Sequence, residues 1–365
     1  MRRQLYASYL MHSIDGLAGS MVSIFVPIYL LSLNYGLRQI FVFYIVLYLG
    51  ILIFFYSAGI FASHFGLRKT ILLRFPFLFA YLYLLSTLDK SGISLYLICL
   101  LNSVQVAFYW FPLHVLFAKN SDGDKIGNDV GKLFALPQTL AIFGPLIGGA
   151  IAVTFGFKYL FLAAVILYLA SALPLFFIKE FELSININLR KIFNYFKKYP
   201  KYFCAEIIAN INGEAEYIIW PIFVFITFNN ILSIGVVGTS LAIGGVLFTL
   251  LIGNLSDKKD KKKFLKLGSF VLILLWIARY YGQNEYTFYF LSILAGFFYV
   301  LINVPFNSII YGMAKKDHIE DFIIFREIPV TLGRLIVYTT AIILASKIKF
   351  TFILAGLSYL YFFIY

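Results

Sequence analysis

The sequence predicts an all-α integral membrane protein of twelve transmembrane helices, arranged as two parallel six-helix repeats. Three observations carry this. The chain is 61% hydrophobic and only 13% charged, where a soluble domain carries about 25% charged residues. Apolar runs of about 20 residues recur along its whole length, each able to cross a hydrocarbon core of about 30 Å. Finally, two short basic loops between apolar runs look like copies of one another. Gly59 aligns with Gly253, Ser63 with Asp257, His64 with Lys258, and Arg68-Lys69 with Lys262-Lys263, all at a spacing of 194, which Pro27 and Pro221 share.

Segment 1 is placed at 14–34 and contains Asp15 and Pro27; segment 2, at 39–62, is free of charge. Segment 3 (71–88) follows the first basic loop, and segment 4 (93–118) carries amides and aromatics. Segment 5 (133–155) is rich in glycine, and segment 6 (157–178) is aliphatic. Segment 7 (203–228) holds three glutamates, while segment 8 (231–253) holds none. Segments 9 (264–281), 10 (286–313) and 11 (324–346) complete the pattern with segment 12 at 350–365, which at 16 residues spans only about 24 Å at 1.5 Å per residue.

The repeat extends beyond the loops. Ile14 to Ala18 in segment 1 echo Ile211 to Ala215 in segment 7, and Pro137, Thr139 and Leu140 echo Pro329, Thr331 and Leu332. Six segments per half give both halves the same membrane orientation, so the repeats are parallel. The predicted bodies are a first bundle at 1–178, a basic linker at 179–202 and a second bundle at 203–365. In the linker Leu189, Ile192, Phe193 and Phe196 fit one face of an amphipathic helix lying on anionic lipid, and an ordinary charged linker fits the same composition.

The net charge of +13 is distributed as membrane topology distributes it, which argues against a nucleic-acid partner. With the N-terminus inside, the cytoplasmic segments hold twenty-one Lys and Arg residues, Lys125 and Lys179 among them, and the outer loops hold five. Both termini are therefore expected in the cytoplasm, in a protein of the cytoplasmic membrane of a prokaryote working as a monomer among membrane lipids. The N-terminal region lacks a small-residue cleavage site after a short apolar core, so no signal peptide is expected. Cys99 and Cys204 read as small buried hydrophobes.

These residues resemble the major facilitator superfamily, whose loop between helices 2 and 3 follows the pattern G-x-x-x-D-[RK]-x-G-[RK]-[RK], with a weaker echo between helices 8 and 9. The first copy here keeps Gly59, Gly66, Arg68 and Lys69 but has Ser63 in place of the family's aspartate. The second keeps Gly253, Asp257 and Lys258. The resemblance implies a charged latch at the cytoplasmic gate, and Ser63 cannot carry that charge, so the latch would rest on the second half. Arg326 and Glu327, at the start of segment 11, are assigned to the same gate. In segment 5, Gly144, Pro145, Gly148 and Gly149 resemble a family motif of exporters that exchange substrate for protons. Physically, these residues remove side chains for close helix approach and weaken the local backbone ladder; generic packing is the plain alternative. The family's arginine in helix 4 is absent.

Ionisable groups within the membrane are expensive and functional by default. Glu214 and Glu216 lie near mid-membrane and point about 200° apart, so they cannot face one cavity. Glu214, Glu216, Asp15 and Arg334 are the proton-coupling candidates. A structural ion pair between Glu214 and Arg326 or Arg334 is the alternative. Glu206 is expected to reach water near the helix end, and Arg74 and Arg279 to snorkel to opposite interfaces. Asn102, Gln105, Tyr109, Trp110, Asn210, Tyr217, Trp220, Asn303 and Asn307 are the substrate-cavity candidates. Four scattered histidines offer no metal cluster, no phosphate-cradling loop supports ATP drive, and no cofactor or enzymatic chemistry is expected. The reading is a secondary transporter moving a small molecule by alternating access, as a proton-coupled exporter. Uptake symport of a sugar, peptide or nucleoside, and a non-transporting or lipid-moving relative, are the alternatives.

Overall fold

A computed structural model describes residues 2–121, 126–177, 180 and 189–365. Among them the regular structure is all helical. Eight helices are long and apolar enough to cross a membrane: Tyr6–Ser32, Leu37–Phe65, Leu67–Ser86, Leu95–Asn120, Ile126–Thr154, Phe157–Phe177, Lys261–Tyr281 and Glu285–Lys316. These are segments 1 to 6, 9 and 10. Segment 8 is Ile231–Lys258, bent by 41° between Val246 and Leu251. Segments 7 and 11 carry too much charge, or too many breaks, for a simple hydropathy criterion. Segment 11 is Ile319–Ile343, and segment 12 is the short apolar helix Phe350–Phe363.

Segment 7 is built in three pieces for a local reason. Pro221 has no N–H to give the carbonyl of Tyr217. The helix Pro200–Glu214 therefore passes through a π-bulge at Ala215–Ile219 before resuming at Trp220–Phe228. Segment 5 breaks similarly at residues 142–143, before Pro145. The carbonyl that Pro145 cannot satisfy is that of Ala141, and Ser20 Oγ of segment 1 donates to it at 3.3 Å.

Segments 1 to 6 pack on one another, as do segments 7 to 12. The seams between the two sets are segment 2 against 11 and segment 5 against 8. The glycine motif of segment 5 makes close approach possible. A Cβ at Gly148 would stand 2.4 Å from the Met21 carbonyl, and one at Gly235 would stand 2.7 Å from the Pro145 carbonyl. Gly253 serves the same end at the other extremity, with only 2.8 Å from its would-be Cβ to the Gly127 carbonyl.

Several segment starts differ from the expected ones. Segment 5 begins at Ile126 rather than 133, segment 3 at Leu67 and segment 11 at Ile319. In each case a polar or charged first turn belongs to the helix; at segment 3 the Arg68 N–H donates to Glu180, and at segment 5 the first N–H groups donate to Asp257. Lys125, Lys179 and residues 181–188 of the linker lie outside the described residues. The linker does contain a helix, Leu189–Lys198. Its Tyr195 and Phe196 rings stand 5.4 and 5.2 Å from Phe325, so this end of the helix rests on protein rather than lipid. Lys198 and the Tyr199 hydroxyl both reach Asp317, at 2.5 and 2.6 Å. That carboxylate holds the Lys198 ammonium above its ordinary range. Cys99 is buried as expected, whereas Cys204 is exposed.

Candidate functional site

The ends of segments 4, 8 and 10 and the starts of segments 5 and 11 meet at one extremity, called here the basic end. The duplicated loops behave unequally. Asp257 accepts from the backbone N–H groups of Gly127 and Asn128 at 2.8 and 2.9 Å. It thereby caps the start of segment 5 across the seam, where orphan N–H groups and the helix dipole favour a carboxylate. Ser63 turns inward to its own helix, donating to the Ile60 carbonyl at 2.7 Å. Arg68 pairs with Glu180 at 3.4 Å, and the same carboxylate accepts from the Arg68 backbone. Gly66 has φ +89°, and a Cβ there would stand 2.1 Å from Glu180 Oε1, so the turn requires glycine. Gly59 is buried, and Lys69 and Lys258 are exposed.

The basic end is closed by contacts between the two sets of helices. His114 Nδ1 lies 2.6 Å from the Tyr311 hydroxyl, and its Nε2 lies 3.2 Å from Arg326 Nη1. Because a guanidinium can only donate, His114 Nε2 is the acceptor side of that contact. Lys119 pairs with Glu320 at 2.7 Å, and Lys315 donates to the Ser121 carbonyl. If Asp257 is the latch, Asp257→Asn costs about 1 kcal/mol of closed state, roughly fivefold in the closed-to-open ratio. Spin labels at the exposed positions 69 and 258 are expected to show a longer and broader distance distribution in that variant. An unchanged distribution would remove Asp257 from the gate.

Four guanidiniums meet carboxylates in the interior, Arg74 and Arg279 buried and Arg326 and Arg334 partly exposed. Arg74 reaches Asp15 in the first set, and its guanidinium stacks 4.1 Å from the centre of the Tyr109 ring. Arg279 meets Glu216 with two contacts of 2.5 and 2.7 Å, lying over Trp220 and Trp276. Each arginine is 1% exposed, so neither snorkels, because a partner within reach is better than a long stretch to the interface. Glu206 is buried rather than wet, 2.9 Å from Arg326 Nε.

Glu214 sits at the junction of segments 2, 7 and 11. The Tyr48 hydroxyl stands 2.8 Å from both its oxygens, the Tyr338 hydroxyl donates at 2.6 Å, and Arg334 Nε is 3.1 Å away. Glu327, assigned to the gate, is buried instead. Among the described residues its ion-pair contact is Arg334 Nη1 at 3.9 Å, on its own helix. Arg326 alone of that pair touches the gate.

A cavity of about 350 Å³ opens between the segments of the first set and Ile218 of segment 7. Asn102, Gln105, Tyr109 and Trp110 all line it, beside Asp15 and Tyr48. The Gln105 amide donates to Asn102 at 2.6 Å. Other candidates stand elsewhere. Trp220 is 0% exposed, donating to Ser292 inside the second set, because the π-bulge rotates it inward. Tyr217 is 45% exposed and packs edge-on to Tyr299. Asn210 donates to its own helix. Asn307 donates to Asn303 and accepts from Arg326, placing that amide pair beside the gate. His12, which donates to or accepts from Tyr109 at 2.5 Å, was missed by sequence reasoning; its one signal was a histidine within an apolar run. Among the described residues no group of three or more His, Cys, Asp or Glu could hold a metal.

Three comparisons bear on this architecture. Residues 206–365 match the model of the Major Facilitator Superfamily. Over its whole length the chain is similar in structure to the human organic anion transporter MFSD10 (TETRAN), with a TM-score of 0.67 at 12% identity, covering 99% of this chain and 98% of that one. It is also 23% identical over 311 residues to the uncharacterized protein YqgE of Bacillus subtilis (strain 168), covering 81% of this chain and 72% of that protein.

Proposed function

We propose that the chain is a membrane transporter of the major facilitator superfamily, whose model its residues 206–365 match, and that it exports a small amphipathic or aromatic molecule in exchange for protons. Both termini would face the cytoplasm, and two bundles, 1–178 and 203–365, would rock about the linker 179–202. The observation that carries the coupling is Glu214. It belongs to the second bundle, yet the Tyr48 hydroxyl of the first bundle holds it. Any rocking along the seam between segments 2 and 11 changes what surrounds that carboxylate. Asp15 and Glu216 are weaker candidates, because each is held by an arginine of its own bundle, and Arg334 acts as the counter-charge.

The lining of the cavity supports an uncharged or weakly polar aromatic substrate. Tyr44, Tyr81, Tyr109, Tyr168 and Trp110 supply ring faces, and Asn102 and Gln105 supply amides. The guanidinium in that wall, Arg74, is already neutralised by Asp15. The neighbour MFSD10 is described as an organic anion transporter; an organic anion here would have to displace Asp15. Reconstitution in proteoliposomes tests the reading. A panel of neutral aromatic and anionic aromatic compounds is assayed with and without an imposed pH gradient. Gradient-driven movement of neutral compounds out of the cytoplasmic-equivalent side supports export. Accumulation driven the other way supports uptake symport, and movement indifferent to the gradient overturns proton coupling.

A further inference from the structure

The basic end holds a second cavity, of about 520 Å³, walled by the start of segment 5, the turn between segments 8 and 9 and the last turns of segment 10. Three lysines line it. Lys261 opens the helix of segment 9, and Lys315 and Lys316 close that of segment 10. None of the three makes an ion pair among the described residues. The carboxylates nearby have other partners. Glu320 pairs with Lys119 and Asp317 with Lys198, and Asp260 accepts from the Lys262 N–H of its own helix. Asp257, on the cavity wall, spends one oxygen each on the N–H groups of Gly127 and Asn128. Three ammoniums against that one carboxylate leave the wall with an excess of two positive charges.

The donors are also under-used. An ammonium carries three. Lys261 gives one to the Ser308 hydroxyl at 2.7 Å, and Lys315 gives one to the Ser121 carbonyl. Both acceptors are neutral, and both lysines are half-buried, where an ammonium without a counter-charge is costly. The wall leaves room for a ligand at Gly312, where a Cβ would meet only Ile126, at 4.0 Å.

We propose that this cavity binds a phosphoryl group, at a site separate from the substrate cavity beside Asp15. A phosphate monoester brings close to two negative charges and three acceptor oxygens, which matches the excess charge of the wall. The lysines are point charges on two elements, with no arginine fork among them, so they favour a compact, multiply charged anion over a planar carboxylate. The phosphoryl group has two sources. Ile126, Ile309 and Met313 give the cavity an apolar side, which suits an anionic phospholipid head entering with its glycerol; a soluble phosphate needs the lysines alone. Ile126 belongs to the first set of helices and the lysines to the second, so a bound anion sits across the seam. The site uses neither Glu214 nor the substrate cavity, and it stands whether or not transport is coupled to protons.

Isothermal titration calorimetry of the purified full chain in neutral detergent tests this with two probes, inorganic phosphate and dioctanoyl phosphatidic acid. Dioctanoyl phosphatidylcholine, which has no net charge, is the control. Saturable binding of at least one phosphoryl probe, absent for phosphatidylcholine, is expected. Phosphate binding as tight as the lipid's supports the site and marks a soluble ligand; binding of the lipid alone supports it and marks a headgroup. Lys261→Gln should weaken binding about tenfold or more, through loss of a charge-assisted contact, and Lys261→Arg should retain most of it. Gly312→Phe should abolish binding by filling the cavity with no change of charge. Lys259→Gln, at an exposed position off the cavity wall, should leave it unchanged. Four results each overturn the proposal: no saturable binding of either probe, equal binding of phosphatidylcholine, an equal loss in Lys259→Gln, or undiminished binding in both Lys261→Gln and Gly312→Phe.

Discussion

Arg279→Met is expected to destabilise the second set of helices by about 3–5 kcal/mol, the cost of leaving a buried partner charge uncompensated. Arg279 and Glu216 are 1% and 5% exposed as side chains and joined by two short contacts. The guanidinium also fills the space between Trp220 and Trp276. Removing it strands a carboxylate beneath two indoles. Denaturant titration in detergent, followed by tryptophan fluorescence, measures the loss. The double variant Glu216→Gln/Arg279→Met should recover most of it, because the cost comes from the orphaned charge and a neutral pair carries none. A single variant as stable as the wild type would mean that water reaches Glu216, contrary to the packing.

Glu214→Gln is expected to abolish accumulation driven by a pH gradient while leaving substrate binding and exchange intact. The amide keeps the shape and can still meet Tyr48 and Tyr338. An amide can neither take up nor release a proton, so the carboxyl proposed for coupling is lost. Transport then has nothing to couple to. Flux in proteoliposomes, measured with and without the gradient, decides it. If the variant still concentrates substrate against its gradient, the cluster around Arg334 is not where the coupling proton binds.

Much of this was legible in the chain itself. A segment too apolar for water and long enough for the bilayer has one stable arrangement, so the all-helical membrane fold followed from composition and run length alone. The repeat followed from matched loops, and the glycine motif from the need for close backbone approach, which Gly148 and Gly253 meet. The separation of Glu214 and Glu216 onto opposite sides followed from helix geometry. What only the tertiary structure decided was the pairing of charges. Arg74 and Arg279 lie near helix ends in sequence, yet each is drawn inward, because a carboxylate on a neighbouring helix lies within reach and hydrocarbon offers no alternative solvent. Trp220 turned away from the cavity because Pro221 forces a bulge beside it. Glu327, which sequence position assigned to the gate, is buried 3.9 Å from Arg334, and that guanidinium lies closer to Glu214, at 3.1 Å. Hydropathy and spacing are local and one-dimensional; which ion meets which is settled by the few ångströms between helices distant in sequence, and that distance exists only once the bundles have packed.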